Sequence, residues 1–350
     1  MKYKKVYIDT IQYEIAPNAV TSLELEERLE PFYTKFGFKN GQLENLTGIR
    51  ERRYWDEVHT MHEGASKAGI KAINSSGIDP SDIGMIIYGG VCRDNYEPAT
   101  ACAIAHTLGL NEDAQVYDVS NACIGVLTGI LQVANAIESG QIKAGMVVSC
   151  ESAKQIVDST IDLINENMDL EFYKKTIATL TGGAGAVAVL LTEESFQTKT
   201  KRRHKLVSST LKNFVEHHEL CRWGQDKYGM PTQSNIVMET DAQMVLKHGV
   251  DLARRTFSKF VDELSISGSD LDKVICHQVG SLHRATILDA LGIDKSKDFN
   301  TFQYLGNMGT VSLPMTAQLA DEYNFIYEND LVGFLGIGSG LNCLMLGVKW

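Results

Sequence analysis

Val116-Tyr117-Asp118-Val119-Ser120-Asn121-Ala122-Cys123-Ile124-Gly125-Val126-Leu127 opens apolar and β-prone and then turns into a helix. Ser120 and Asn121 are good helix-capping types, and residues 124–137 are apolar or small nearly all round, the pattern of a buried helix. Cys123 therefore falls where a strand becomes the first turn of a core helix. The unbonded N–H groups and positive dipole end of such a helix favour a thiolate. That makes Cys123 a candidate nucleophile; a small buried thiol filling a gap is the other reading of the same residue.

Around this stretch the composition is that of an ordinary globular protein. The chain has 350 residues, 44% hydrophobic and 22% charged, enough for one large domain or two with a sizeable core. A formal charge of −11 argues against nucleic acid or an anionic membrane surface as the main partner. No apolar run approaches the roughly 18 residues of a membrane span. Residues 6–15 alternate like a strand and hold Asp9 and Glu14, so the basic N-terminus does not read as a signal peptide. Seven cysteines without a CxxC pair fit a reducing cytoplasm.

Along the chain, buried strands are expected at residues 6–11, 83–90, 144–151 and 182–191. Helices are expected at 22–36, 62–76, 99–108 and 250–264. Residues 152–179 read as polar and irregular to helical, able to cover a site. Gly182-Gly183-Ala184-Gly185 tempts a phosphate-loop reading, but no Gly-Lys-Ser/Thr follows and the segment leads into a strand. Close backbone packing is the preferred explanation. The basic run Thr198 to Lys205 reads as a solvated linker, with phosphate binding as its second reading.

The second half then echoes the first. Gly268 to Cys276 resembles Gly77 to Tyr88, and Ala285 to Ile293 resembles Ala101 to Leu110. Asn307-Met308-Gly309-Thr310-Val311 aligns with Cys123-Ile124-Gly125-Val126-Leu127 at a shift of 184 residues. Self-similarity on this scale implies two duplicated α/β halves, 1–197 and 198–350, related by a pseudo-twofold axis. Equivalent strand ends then converge, which brings His277 and Asn307 to Cys123.

These residues match a known family over essentially the whole chain. The pieces are Thr47-Gly48-Ile49-Arg50-Glu51-Arg52, Asn121-Ala122-Cys123-Ile124-Gly125, Gly183-Ala184-Gly185-Ala186-Val187, His277-Gln278, Gly306-Asn307 and Gly336-Ile337-Gly338-Ser339-Gly340. In this order and spacing the chain resembles a thiolase-superfamily condensing enzyme of the ketoacyl-ACP synthase III type. The resemblance implies a thiolase-like αβαβα fold, a homodimer and a Cys123–His277–Asn307 site. Two positions depart from the decarboxylating members: Gly280 replaces their second Asn, and Glu97 replaces their interface-loop Phe. Val91-Cys92-Arg93-Asp94, Glu97-Pro98 and Asn307 to Pro314 are instead similar to the olefin-biosynthesis condensing enzymes, the OleA family, where the glutamate reaches the partner subunit's site. A helix-terminal surface carboxylate is the plain alternative for Glu97.

The chemistry so implied needs no metal or resident cofactor, because the coenzyme A thioester is itself the substrate. Cys123 attacks a fatty acyl thioester, with its own N–H and one near Ser339 as the oxyanion hole. A second acyl-CoA loses an α-proton to Glu97, whose carboxyl an apolar acyl channel would raise. His277 and Asn307 stabilise the enolate, which attacks the acyl group. A decarboxylating synthase taking a malonyl thioester on ACP, an acyltransferase to another acceptor and a non-catalytic scaffold are the alternatives.

Overall fold

Both halves of the chain lay down strands in the same order, and that order positions everything at the site. The computed structural model describes residues 1–225 and 236–350. In chain order the strands are β1 (Val6–Ile15), β2 (Asn18–Thr21), β3 (Glu51–Tyr54), β4 (Met85–Tyr88), β5 (Gln115–Asp118), β6 (Ala144–Ser152) and β7 (Ala184–Glu193). The second half adds β8 (His204–Asn213), β9 (Cys221–Gln225), β10 (Ile236–Thr240), β11 (Lys273–Cys276), β12 (Leu331–Gly338) and β13 (Asn342–Lys349). Strands β2 and β3 pair with each other, as do β9 and β10; the other nine form one sheet, β11-β12-β13-β8-β1-β7-β6-β4-β5.

In the first half β1 and β7, then β7 and β6, run antiparallel, while β6–β4 and β4–β5 are parallel. In the second half β8–β13 and β13–β12 are antiparallel and β12–β11 parallel. A single parallel bridge from Val274 to Asp298 stands where β5 would recur. Within the nine-stranded sheet the halves meet at β1 and β8, paired at Tyr7 with Lys205 and Ile8 with His204.

The cores show five layers. Helices Gly125–Glu138 and Ser312–Glu322 share one hydrophobic cluster with strand faces of both halves, among them Val147, Val189, Phe334 and Leu346. Helices Met61–Ser76 and Thr100–Leu108 cover the other face of the first half. Helices Ala242–Leu264 and Ser281–Leu291 cover that of the second. This is the αβαβα layering the family resemblance implied. Its central helices are apolar over most of their surface because both are largely buried, with Gln132 and Glu322 reaching solvent.

Several local expectations shift for physical reasons. The helix expected over 22–36 is two, Ser22–Arg28 and Glu30–Phe36, because Pro31 lacks an N–H and its ring crowds the preceding turn. Its cap is Thr21, in a capping box with Glu24. The helix expected from Val250 starts at Ala242, capped by Asp241. Residues 152–179 contain helices Lys154–Asn167 and Leu170–Thr176, which bury Val157, Ile161, Ile164 and Tyr173 against Leu25, Leu29 and Phe32. The basic linker makes structural contacts. Arg202 pairs with Asp321, while Arg203 donates to the carbonyls of Glu193, Glu194 and Phe196. Buried Asp9 accepts from the hydroxyls of Thr198 and Thr200.

One buried group makes the fold acid-sensitive. His204 stacks on Trp350 at 3.7 Å, its Nδ1 has no hydrogen bond among the described residues, and burial pulls its pKa down to about 4. The unfolded chain takes up this proton below about pH 6.5, whereas the folded chain resists it until about pH 4. Stability from keeping His204 neutral is therefore full above pH 6.5 and lost as pH falls through that window. His204→Phe should reduce the loss at pH 4 by about 1–3 kcal/mol relative to the parent, measured by urea unfolding at pH 8 and pH 4. An identical pH 8-to-4 difference in parent and variant would contradict this.

Candidate active site

Residues 119–121 leave β5, and a short 3-10 turn, Ala122–Ile124, leads into the helix starting at Gly125. Ala122 holds a left-handed φ of +44°, uncommon for a residue with a Cβ. The turn is pinned from several sides. Val119 N–H donates to the Tyr88 carbonyl at 2.8 Å, and the Asn121 side chain donates to Thr128 Oγ1 and accepts from Asn342 Nδ2. Gly89 and Gly125 meet backbone to backbone; a Cβ on Gly125 would lie 2.4 Å from the Gly89 carbonyl oxygen. That contact brings the end of β4 onto the start of the Cys123 helix.

The C-terminal half reaches Cys123 by two routes. A Cβ on Gly338, at the end of β12, would lie 3.2 Å from the Cys123 nitrogen, so Ser339 follows directly on the Cys123 turn. Strand β12 also holds β11, and the His277 N–H donates to the Leu335 carbonyl at 3.1 Å. The second route is the Asn307 turn. Val126 N–H donates to Thr310 Oγ1 at 2.6 Å, joining residues 184 positions apart. The internal symmetry found in the sequence is thus a physical contact at the site.

Asn307 is held at both backbone ends. Its N–H donates to the Thr181 carbonyl at 2.8 Å and its carbonyl accepts from Gly183 N–H at 2.9 Å. Its Oδ1 accepts from Gly309 N–H at 3.0 Å, and its Nδ2 donates to no group among the described residues. A Cβ on Gly183 would lie 2.1 Å from the Leu305 carbonyl oxygen, so the glycine run serves this close approach and not a phosphate. Fully buried Arg52 braces the same corner, donating to Ser22 Oγ and the Leu180 carbonyl. That gives the Thr47–Arg52 motif a structural role the sequence alone did not reveal.

Electrostatics at the site favour neutral partners. Cys123 is half-buried, and desolvation pushes its thiol up to about 12, with Cys221 and the Glu151 carboxylate adding to the rise. Burial thus works against the thiolate that the helix end favours. Burial likewise pulls His277 down to about 3, helped by His283, itself pulled down to about 4. The imidazole of His277 is therefore neutral, and its Nδ1 is buried without a partner among the described residues. Beside it lies a cavity of about 10 Å³, lined by Cys276, His283, Ile287, Leu335, Ile337 and Met345 among others. An acyl chain entering there must displace side chains.

Glu97 is placed differently. It lies on the loop between β4 and helix Thr100–Leu108, exposed, with no hydrogen bond or ion pair among the described residues. The apolar channel expected around it is not formed by the described residues of this chain. His283, Glu151, Thr310 and Asn342 were missed in the sequence. Glu151, a carboxylate at the end of an otherwise apolar strand, and Thr310, opposite Val126 in the internal repeat, carried a signal there. All seven cysteines are free. Among the described residues no cluster of His, Cys, Asp or Glu could hold a metal ion, and no helix is long and apolar enough to cross a membrane.

With this geometry in place, comparison with known proteins is decisive about family. Residues 56–248 match the thiolase N-terminal domain, and 261–350 match the C-terminal domain of 3-oxoacyl-[acyl-carrier-protein] synthase III. An acyl-CoA:acyl-CoA alkyltransferase of Shewanella oneidensis is 51% identical over all of both chains. Its counterpart from Xanthomonas campestris is 31% identical, again over all of both chains. Among solved structures, a cysteine-to-alanine variant of Xanthomonas campestris OleA superposes with a TM-score of 0.92 at 30% identity, covering 100% of this chain and 98% of that one. A cysteine-to-serine variant of the same protein, with bound lauric acid and lauroyl-CoA, gives 0.91, covering 99% and 100%. The chain therefore belongs to the thiolase superfamily, as an acyl-transferring condensing enzyme of the 3-oxoacyl-ACP synthase III type.

Proposed function

We propose that this enzyme joins two fatty acyl-CoA molecules by a non-decarboxylative Claisen condensation. Cys123 attacks the first thioester; neutral His277 accepts its proton and passes it to the departing coenzyme A thiol. The Cys123 N–H and one near Ser339 receive the oxyanion. The second acyl-CoA gives an α-proton to Glu97, and the Asn307 amide and His277 hold its thioester carbonyl as the enolate forms. The α-carbon attacks the acyl carbonyl, the bond to the Cys123 sulfur breaks, and the thiolate regains the proton from Glu97. A β-ketoacyl-CoA leaves.

The observation that carries this reading is the pinning of the Cys123 turn against both Gly338 and Thr310, on the segments that carry Ser339 and Asn307. The names of the Shewanella and Xanthomonas relatives support the substrate pair, and a lauroyl-CoA-bound OleA supports a long acyl chain. Solved OleA neighbours include glutamate and histidine variants, which supports interest in those residue types there. Exposure of Glu97 supports its entry into the site of a second copy, in a homodimer that encloses it. A decarboxylating synthase is disfavoured because Gly280 stands at the second Asn position and its added Cβ would lie 2.8 Å from the Thr47 carbonyl oxygen.

The test is covalent labelling. Radiolabelled acyl-CoA should mark Cys123 alone among the seven cysteines, and bound acyl group should block its reaction with iodoacetamide. Label distributed elsewhere, or none retained, would rule out the acyl-enzyme.

A further inference from the structure

We propose that Glu151 is a positioning residue for the loop that carries Glu97, holding the loop's backbone at its root. The proposal rests on the reading of Glu97 as the base. Glu151 lies at the end of β6 and is 4% exposed. One carboxylate oxygen accepts from Val91 N–H at 2.9 Å and the other from Cys92 N–H at 3.1 Å, the first two residues after Gly89-Gly90. A Cβ on Gly309 would lie 3.5 Å from its Cγ and Cδ, so the carboxylate is wedged between the loop and the Asn307 turn.

The far end of the same loop is staked independently. Asp94 accepts from the N–H groups of Met61 and His62 at 2.7 and 2.9 Å, and Asp118 accepts from those of Thr100 and Ala101 at 2.9 Å each. Between these anchors the tip, Asn95 to Pro98, projects outward, with Tyr96 74% exposed. A loop fixed at root and flank presents its tip in one place. A general base needs this, because it must come within about 2.6–3.2 Å of the proton it removes.

Glu151 is otherwise hard to explain. It makes no ion pair within 4.0 Å among the described residues, and a buried charge without a cation is unfavourable. It also lies close enough to Cys123 to oppose the thiolate. What its oxygens gain in return is the pair of loop N–H groups, which would be unsatisfied without them.

The experiment compares Glu151→Gln and Glu151→Ala with Glu97→Gln and the double variants, using a long-chain acyl-CoA as sole substrate. Both Glu151 variants should condense about 10- to 100-fold more slowly, the usual penalty for a misplaced group. Acyl transfer to Cys123 should stay within about twofold, since the base takes no part in it. In the Glu97→Gln background, changing Glu151 should cause no further loss, because a positioning residue has nothing left to position. Undiminished condensation in both Glu151 variants would overturn the proposal. So would a parallel loss of acyl transfer, a loss that multiplies with that of Glu97→Gln, or failure of both variants to fold, each of which marks a general structural role. Full condensation by Glu97→Gln alone would strike the base assignment itself, a result distinct from all of these.

Discussion

Glu97→Gln should leave acyl transfer to Cys123 intact and slow carbon–carbon bond formation by about 10²–10⁴-fold, the usual worth of a positioned base. The substitution keeps shape and hydrogen bonding but removes the proton acceptor. Acylation needs only the thiol, a neutral imidazole to take its proton and the backbone donors at the Cys123 turn, none of which it touches. The acyl-enzyme should therefore accumulate, visible by intact-protein mass spectrometry as a stoichiometric adduct. A malonyl-dependent enzyme would behave otherwise, because loss of carbon dioxide generates the carbanion without a base. Undiminished condensation with acyl-CoA alone would refute the assignment.

Cys123→Ala should abolish condensation, a fall of about 10⁴-fold or more, since no other group takes over covalent transfer. Its value lies in combination. If Glu97 serves the site of a second copy, a mixed dimer of Cys123→Ala and Glu97→Gln protomers has one site with both an intact Cys123 and an intact Glu97. An equimolar, freely exchanging mixture should then recover about a quarter of the parent's activity: half the dimers are mixed and each has one working site of two. Demonstrated mixed dimers no more active than either variant would confine Glu97 to its own chain.

The architecture was legible because duplication and burial both leave periodic marks. The shift of 184 residues between Cys123 and Asn307 recurs as the hydrogen bond from Val126 to Thr310, and the apolar stretch after Cys123 is the central helix layer. The glycine run at 182–185 was readable as close packing because a phosphate loop must open a helix, and this one opens β7. Electrostatics were less legible. The helix-end position of Cys123 favours a thiolate while burial pushes the thiol the other way, and no local pattern reports burial by segments a hundred residues away. The same holds for Glu151, whose partners Val91 and Cys92 lie about sixty positions upstream. Helix ends failed where a single residue decides them, as Pro31 does in splitting the helix expected over 22–36.

The central claim is that two acyl-CoA molecules are joined without loss of carbon dioxide. Purified enzyme given one long-chain acyl-CoA and nothing else should yield, by mass spectrometry, a β-ketoacyl product containing every carbon of both acyl chains, with one coenzyme A released per product, when Cys123 is acylated. Free fatty acid alone, or a condensation product that forms only when a malonyl thioester is added, would contradict it.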